Sequence, residues 1–310
     1  MKRFFKHISL FLLPILIGII VLYLMPYNKE FGYSYRKNVD CNTSWIYYRL
    51  FQNQTPIDIA FLGTSHTGCG INDSLLETLL LKQMNVVNLA YCTKGRNIQY
   101  PLIKDLVLTK KPRIVFLEVT EDEFASSHKD FSYIADLKDV FSPQLAYNPT
   151  ILNDFYQAFN ARFNYTKKQL KNELELKPLS SSLKNHSYIP FNFSASEQDM
   201  EKHKKKNSTK YKKHSSLTHN IKISSPKKYI EKIYEITQKE HITIIFLYLP
   251  SYGIALEKPL EYDFYKQYGD VWIPPNSIFL NPKNWVDSEH LNANGSHEIA
   301  NWLSNQLSEN

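Results

Sequence analysis

Two stretches of the chain alternate short apolar runs with helical patterns, and few folds accommodate such an alternation. The stretches cover residues 57–124 and 226–310. In the first, apolar runs at 57–62, 86–90 and 113–119 predict buried strands, and the segments between them predict helices. Strands that alternate with helices are typical of a parallel sheet covered on both faces. The sequence therefore predicts an α/β fold, a three-layer α/β/α parallel sheet.

The second stretch continues the pattern with a helix at 227–239 and a strand at 241–248. A short edge strand at 277–280 and an amphipathic helix at 296–307 complete it. Residues 125–225 lose this rhythm, which predicts an inserted helical lobe with a basic flexible segment. Reactive groups of the parallel sheet should gather at the carboxyl ends of its strands.

The N-terminus predicts a membrane anchor. Residues 8–28 contain no charged side chain, and at about 1.5 Å per residue a helix of this length spans roughly 30 Å of hydrocarbon. Three basic residues precede it: Lys2, Arg3 and Lys6. We expect a cytoplasmic N-terminus and transmembrane anchor at 1–28, a stalk at 29–56 and an extracytoplasmic body, periplasmic or extracellular. A cleaved export signal is the alternative, although no small-residue cleavage pattern follows the run.

The positive charge of the chain does not indicate a nucleic-acid partner. The formal net charge is +7, but three positive charges lie before residue 7 and a net six lie at 201–214, so the remainder sums to −2. The basic run at 201–214 is either a solvated loop or a contact for anionic lipid or envelope polymer.

A glycine-flanked serine follows the first predicted strand. Ser65 lies in the turn 63–68, where a strand-to-helix connection places a hydroxyl at the mouth of the sheet. A serine hydroxyl is a weak nucleophile without a base, and Asp287 and His290 supply a carboxylate and an imidazole from one loop near the C-terminus. We predict Ser65 as nucleophile, His290 as general base and acid, and Asp287 as the residue that orients the imidazole.

These blocks resemble those of the SGNH hydrolases, also called GDSL-like esterases, over residues 57–120 and 227–307. That family has a Gly-x-Ser turn after the first strand, a glycine loop after the second and Asp-x-x-His near the C-terminus. With its predicted anchor, the chain looks like the membrane-tethered branch that includes proteins of D-alanyl teichoic acid transfer and exopolysaccharide O-acetylation. The resemblance implies a flavodoxin-like sheet and an acyl-esterase or O-acyltransferase that acts on an envelope glycan, without metal or cofactor.

The resemblance also implies which groups hold the oxyanion. The loop after the second strand contains Gly95, whose N–H or a neighbouring one could act with the N–H of Ser65. Asn97 could add a side-chain donor or cap the following helix, and Arg96 is a further oxyanion or substrate candidate. His66 is expected to form a wall of the site or contact substrate.

One position departs from the family pattern. Where the family usually has an oxyanion asparagine after the third strand, this chain has Glu118, and an ionised carboxylate donates no hydrogen bond. Glu118 could instead pair with Arg96 or Lys94. This departure leaves two alternatives open beside the leading function: a small-ester or lipid carboxylesterase, and a non-catalytic partner of a multi-span acyltransferase.

Three cysteines are too few for a disulfide scaffold and lack the spacing of a metal site. Cys69 follows the nucleophile by four residues, and Cys92 lies in the second loop. Because neighbouring strands bring these loops close together, we predict a Cys69–Cys92 disulfide that braces the site.

Overall fold

The computed structural model describes residues 2–34, 43–141, 148, 150–171, 186–208, 219 and 223–309. Its centre is a five-stranded sheet in the order β2-β1-β3-β4-β5, with every neighbouring pair parallel. The strands are β1 (Ile59–Leu62), β2 (Val86–Asn88), β3 (Ile114–Val119), β4 (Thr243–Tyr248) and β5 (Asp270–Trp272). The predicted α/β class with a parallel sheet is therefore confirmed.

The helices precede, separate and follow the strands. They are α1 (Lys2–Leu24), α2 (Lys29–Ser34), α3 (Thr43–Tyr47), α4 (Ser65–Gly70), α5 (Asp73–Leu79), α6 (Gln99–Thr109), α7 (Phe131–Ile134), α8 (Leu137–Val140), α9 (Ile151–Leu170), α10 (Glu197–Asn207), α11 (Ser224–Lys239), α12 (Tyr262–Tyr265), α13 (Asn276–Leu280) and α14 (Ala293–Glu309). A π-helical turn occupies Tyr48–Gln52, and short 3-10 turns occupy Arg96–Ile98 and Pro282–Asn284.

Side chains of each strand alternate between two apolar cores, one on each face of the sheet. Leu62 of β1 joins the core that contains Leu106 of α6 and Ile233 of α11. Phe61 joins the opposite core, which contains Leu303 of α14. Helices therefore cover both faces, as the alternating pattern requires.

The strand order places the candidate site. The chain passes from β1 to β2 on one side and then returns to β3 on the other side of β1. In open parallel sheets, ligands bind beyond the carboxyl ends of the strands where the order reverses. The ends of β1 and β3 meet at this point, and Ser65 follows β1.

The helix α1 is long and apolar enough to cross a membrane, the one such helix in the described part of the chain, and none of its residues is buried. The segment after it was predicted as a stalk at 29–56, and this is wrong. Tyr33, Trp45 and Leu50 are buried in the main core. Helical periodicity did not reveal them because α2 and α3 have six and five residues, too short to show a repeat.

Two further expectations differ from the structure. The predicted edge strand at 277–280 is the helix α13, and β5 is the edge of the sheet instead. A short apolar run does not distinguish a strand from a helical turn, and Ile278 and Phe279 are buried from a helix. The part of the predicted flexible segment that is described, 186–208, packs on the body: α10 buries Met200. Most of its basic residues beyond 208 lie outside the described residues.

Candidate active site

A tight turn joins β1 to α4 and presents Ser65 as the first residue of the helix. Thr64 caps α4, because its hydroxyl oxygen accepts the N–H of His66 at 3.2 Å. The N–H of Thr67 is bound by Glu118 at 3.0 Å. The N–H of Ser65 makes no hydrogen bond within the described residues, so it remains available to an oxyanion.

The structure brings together the three residues predicted as the catalytic group. The Oγ of Ser65 lies 2.8 Å from Nε2 of His290, across 225 positions of sequence. Nδ1 of His290 lies 2.8 Å from Oδ2 and 3.0 Å from Oδ1 of Asp287. A carboxylate accepts from Nδ1–H, so Nε2 is left unprotonated and oriented to accept the proton of Ser65.

Short-range hydrogen bonds hold the loop that carries Asp287 and His290. Oδ1 of Asp287 also accepts the N–H groups of Glu289 and His290, at 2.7 and 2.9 Å. Beyond the loop, Asn292 begins α14, with its side-chain oxygen accepting the N–H of Gly295 at 3.2 Å. Hydrogen bonds therefore fix the backbone on both sides of His290, which orients its imidazole.

The two ionisable groups shift each other's pKa in opposite directions. The hydrogen bond to Asp287 raises the pKa of His290 above its ordinary value, although desolvation opposes the shift. Partial burial disfavours the Asp287 carboxylate, but hydrogen bonds from His290 and the N–H of Glu289 outweigh it and lower its pKa to about 2. Asp287 is therefore ionised throughout the range in which His290 titrates.

The buried carboxylate of Glu118 lies under the turn that carries Ser65. It accepts the N–H and the hydroxyl of Thr64 at 2.7 and 2.8 Å, and those of Thr67 at 3.0 and 2.6 Å. Gly63 allows this approach, since a Cβ there would collide with Thr67 and Glu118. The expected pairing of Glu118 with Arg96 or Lys94 is wrong, because the turn itself supplies its donors.

The second loop does not contribute the residues that the resemblance implied. Arg96 is buried and forms an ion pair with Glu123 at 2.5 Å, so it is a structural residue. Gly95 packs on the backbone of His128, where a Cβ would collide. Asn97 accepts the N–H of His128 at 2.7 Å, and its buried Nδ2 has no partner within the described residues. Gly95, Arg96 and Asn97 are not among the residues that line the pocket at Ser65.

A pocket of about 460 Å³ opens at Ser65. Its lining comes from five parts of the chain: Thr64, Ser65, Cys69, Cys92, Thr93, Lys94, Lys129, Ile189, Phe191, Glu289 and His290. Lys94 and Glu289 form an exposed ion pair at 3.1 Å within this lining. The pocket therefore combines an apolar side with charged groups beside Ser65.

Sequence reasoning missed the apolar side of the pocket, which comes from the segment expected to be flexible. The N–H of Ile189 donates to the carbonyl of Gly68 at 3.0 Å, and the carbonyl of Phe191 accepts from Ala293 at 2.8 Å. These two main-chain bonds hold an extended segment against α4 and α14. The isolated apolar residues of this segment showed no periodicity that could have revealed it.

His128 is a second residue that the motifs did not reveal. It is buried, and Nε2 lies 2.6 Å from the hydroxyl of Thr93 and 2.8 Å from the carbonyl of Cys92. Its Nδ1 accepts the N–H of Asp130 at 3.0 Å. His128 thereby fixes the loop that forms one side of the pocket, a positioning role.

His66 lies beside the triad rather than in it. Its Nδ1 faces the carbonyl of Leu249 at 3.3 Å, so this nitrogen carries the proton. The ring centroids of His66 and His290 are 6.0 Å apart in an edge-to-face arrangement. His66 is buried and packs behind the base, and it is absent from the pocket lining.

The predicted Cys69–Cys92 disulfide is wrong. Cys69 is a free, buried thiol, and Cys92 is disulfide-bonded. Burial, with the charges of Asp287 and Glu118, raises the pKa of Cys69 to about 12. Both cysteines line the pocket, so proximity of two loops did not determine the pairing.

A group suited to a metal ion lies at Asp122, His219 and Glu261, whose ligand atoms are within 4.8 Å of one another. His219 Nε2 and Glu261 Oε1 are 2.6 Å apart, a distance that an imidazole–carboxylate pair also explains. The group does not include any residue of the triad.

No protein-family model, curated protein or solved structure matches this chain. The resemblance to the SGNH hydrolases therefore rests on the motifs and on their positions in the chain.

Proposed function

We propose that the protein is a membrane-anchored serine acyl-esterase or O-acyltransferase that acts on an envelope glycan or polymer through an acyl-serine intermediate. The observation that carries the proposal is the continuous hydrogen-bonded line from Ser65 through His290 to Asp287 at the mouth of a pocket. Nucleophile, base and orienting carboxylate are the minimum set for acyl transfer by serine.

In the first half-reaction, Oγ of Ser65 attacks the carbonyl carbon of an ester donor while its proton passes to Nε2 of His290. The carbonyl oxygen becomes an oxyanion, and the N–H of Ser65 is placed to stabilise it. The bond to the leaving alcohol then breaks, and His290 returns the proton to that alcohol. Asp287 stabilises the imidazolium that forms in between.

In the second half-reaction, a hydroxyl of the acceptor attacks the acyl-serine and gives its proton to Nε2 of His290. Collapse of the tetrahedral intermediate releases the new ester and restores the Ser65 hydroxyl with the proton from His290. Water in place of the glycan hydroxyl gives hydrolysis by the same steps.

The composition of the pocket supports a short acyl group and a polar acceptor. Ile189 and Phe191 offer apolar surface for an acyl chain, and a volume of about 460 Å³ accepts a small substrate rather than a long lipid. Lys94, Lys129 and Glu289 present charged groups suited to the hydroxyls and acidic substituents of a glycan.

The helix α1 supports the proposed location. It has the length and composition to cross a bilayer, and Lys2, Arg3 and Lys6 before the apolar run favour a cytoplasmic N-terminus. The catalytic body then faces the envelope, where acylated glycans are found.

The assignment of Ser65 is tested with a fluorophosphonate probe and with p-nitrophenyl acetate. We expect Ser65→Ala to abolish labelling and to reduce ester turnover by a factor of about 10³ or more. Ser74→Ala on the exposed side of α5 is the matched control and should retain both. Undiminished labelling of the Ser65→Ala protein would refute the nucleophile assignment.

Transfer and hydrolysis are distinguished by partition of the acyl group. With an acyl donor and an oligosaccharide acceptor, a transferase forms glycan ester in preference to free acid. Free acid alone, whatever the acceptor concentration, would identify a carboxylesterase. An intact fold with neither product, together with co-purification of a multi-span protein, would identify a non-catalytic partner.

A further inference from the structure

The helix α9 is apolar on two opposite faces. Its inner face packs Ala158 and Ala161 into the main core. Its outer face carries large apolar side chains at intervals of four, three, four and seven positions, a spacing that aligns them along one side of a helix. They are Leu152, Tyr156, Phe159, Phe163 and Leu170, called here the outer stripe.

The outer stripe is strongly exposed. Leu152 and Leu170 are 79% and 80% exposed, and Tyr156 and Phe163 are 60% and 49% exposed. A contiguous apolar patch on the exposed surface of a protein marks a site of contact with a membrane or another protein. A helix that needed only its inner face for folding would carry polar residues in these positions.

The position of α9 beside α1 indicates what covers the stripe. The hydroxyl of Tyr23 in the last turn of α1 donates to the carbonyl of Phe155 at 3.0 Å. The rings of Tyr27 and Tyr165 are in edge contact at 5.4 Å, and the guanidinium of Arg162 lies 4.9 Å from the ring of Tyr27. The helix α9 is therefore fixed at the level where α1 ends.

The length of α1 relates this level to a bilayer. From Lys6 to Leu24 the helix rises about 27 Å, at about 1.5 Å per residue, close to the roughly 30 Å of a hydrocarbon core. If Lys6 lies at one interface, Tyr23 lies at the other. Tyrosines at that depth are typical of the membrane–water boundary.

Charge at the end of α9 fits the same surface. Lys167 and Lys168 occupy the last turn, and Nζ of Lys168 lies 5.6 Å from the ring of Phe31, just after the anchor. Basic residues next to an apolar stripe bind anionic headgroups while the stripe enters the lipid.

We infer that α9 lies on the bilayer surface on the side where the body is located, with the outer stripe among the lipids and Lys167 and Lys168 at anionic headgroups. The inference rests on α1 crossing the membrane, but not on the chemistry of Ser65. It gives the body a second attachment and so fixes its orientation, whereas a single helix would leave it free to tilt.

The test uses the full chain in nanodiscs that contain phosphatidylcholine and phosphatidylglycerol. A nitroxide side chain is introduced at Tyr156 and, in a second protein, at Phe163. The collision rate of each nitroxide with oxygen, which partitions into lipid, is compared with its collision rate with a water-soluble nickel chelate. Leu16 in α1 is the lipid control, and Leu108 on α6, 77% exposed, is the aqueous control. The unsubstituted chain measures background labelling at the buried Cys69.

We expect both α9 sites to show at least a threefold higher ratio of oxygen to chelate collisions than Leu108. Lys167→Gln with Lys168→Gln should lower that ratio in anionic discs and leave it unchanged in phosphatidylcholine alone. Aqueous values at both α9 sites, with a lipid value at Leu16, would overturn the inference. An aqueous value at Leu16 would refute the anchor as well.

Discussion

The carboxylate of Glu118 accepts both the backbone N–H and the hydroxyl of Thr67, at 3.0 and 2.6 Å. It accepts the same two groups of Thr64. A single buried charge from β3 thus holds the residues on both sides of Ser65. At the position where the family pattern has an oxyanion donor, this chain has a residue that positions Ser65.

Replacement of this carboxylate should affect both stability and rate. In Glu118→Gln, an amide NH₂ group would face donors, and we expect a loss of about 2–3 kcal/mol in the free energy of unfolding. The rate of probe labelling should fall at least tenfold because the turn shifts. Glu289→Gln, at a side chain 43% exposed, is the control and should cost less than about 1 kcal/mol. Wild-type stability of Glu118→Gln in denaturant melts would contradict this role.

Two glycines of the turn should differ in their tolerance of a methyl group. In Gly63→Ala the Cβ would collide with Thr67 and Glu118, which should cost about 1–3 kcal/mol and slow labelling. In Gly70→Ala the nearest atom is Cδ1 of Leu291 at 3.5 Å, an ordinary contact, so little change is expected. Equal unfolding midpoints for the two variants would argue against the tight approach at Gly63.

The rate of Ser65 labelling should rise with pH through the pKa of His290. The base accepts a proton only when neutral, and Asp287 raises the pKa of His290 above 6.5. Labelling should therefore be lost as the pH falls through that raised pKa and should level off above it. A profile with no inflection above pH 6.5 would contradict this.

Removal of the orienting charge should shift the same profile. In Asp287→Asn, the pKa of His290 should move down toward its ordinary value, because the carboxylate is its largest cause of elevation. The plateau rate should fall by about 10⁴, since an amide favours the wrong tautomer. The side chain is half exposed, so folding should be almost unaffected, as circular dichroism would show. A downward pKa shift without a loss of rate would limit Asp287 to an electrostatic role.

The different states of Cys69 and Cys92 predict how each reacts with an alkylating reagent. Of three cysteines, Cys69 is free and Cys92 is disulfide-bonded. The folded protein should react very slowly with iodoacetamide at pH 8, because burial raises the pKa of Cys69 to about 12. Unfolding without reductant should expose the thiol of Cys69 to alkylation, and Cys92 should react only after reductant is added. In the unfolded protein without reductant, alkylation of Cys92, read by peptide mapping, would show that Cys92 is not bridged.

The sequence predicted the sheet and the triad because both leave strong local signals. Apolar runs such as 59–62 are buried on both faces of the sheet, so their residues are apolar without interruption. Ser65 and His290 follow short motifs that parallel topology brings to one edge. These features depend on local composition and on general rules of connection.

The parts of the fold and of the pocket that were not predicted depend on long-range contacts, which local sequence patterns do not reveal. Tyr33 and Trp45 enter the core from helices too short for a period, and Ile189 reaches the pocket through one bond to Gly68. The pairing of Cys92 was mistaken for the same reason, since spacing along the chain does not determine which sulfurs meet.

The segment that carries Ile189 and Phe191 belongs to no strand or helix. Its main chain is hydrogen-bonded to the carbonyl of Gly68 and to the N–H of Ala293. The side chains of Ile189 and Phe191 are thus replaceable without disturbing the register of the sheet or the alignment of Ser65, His290 and Asp287. Under the proposed function, substitutions at Ile189 and Phe191 would alter which acyl groups fit the pocket, while the reaction steps at Ser65 would be preserved.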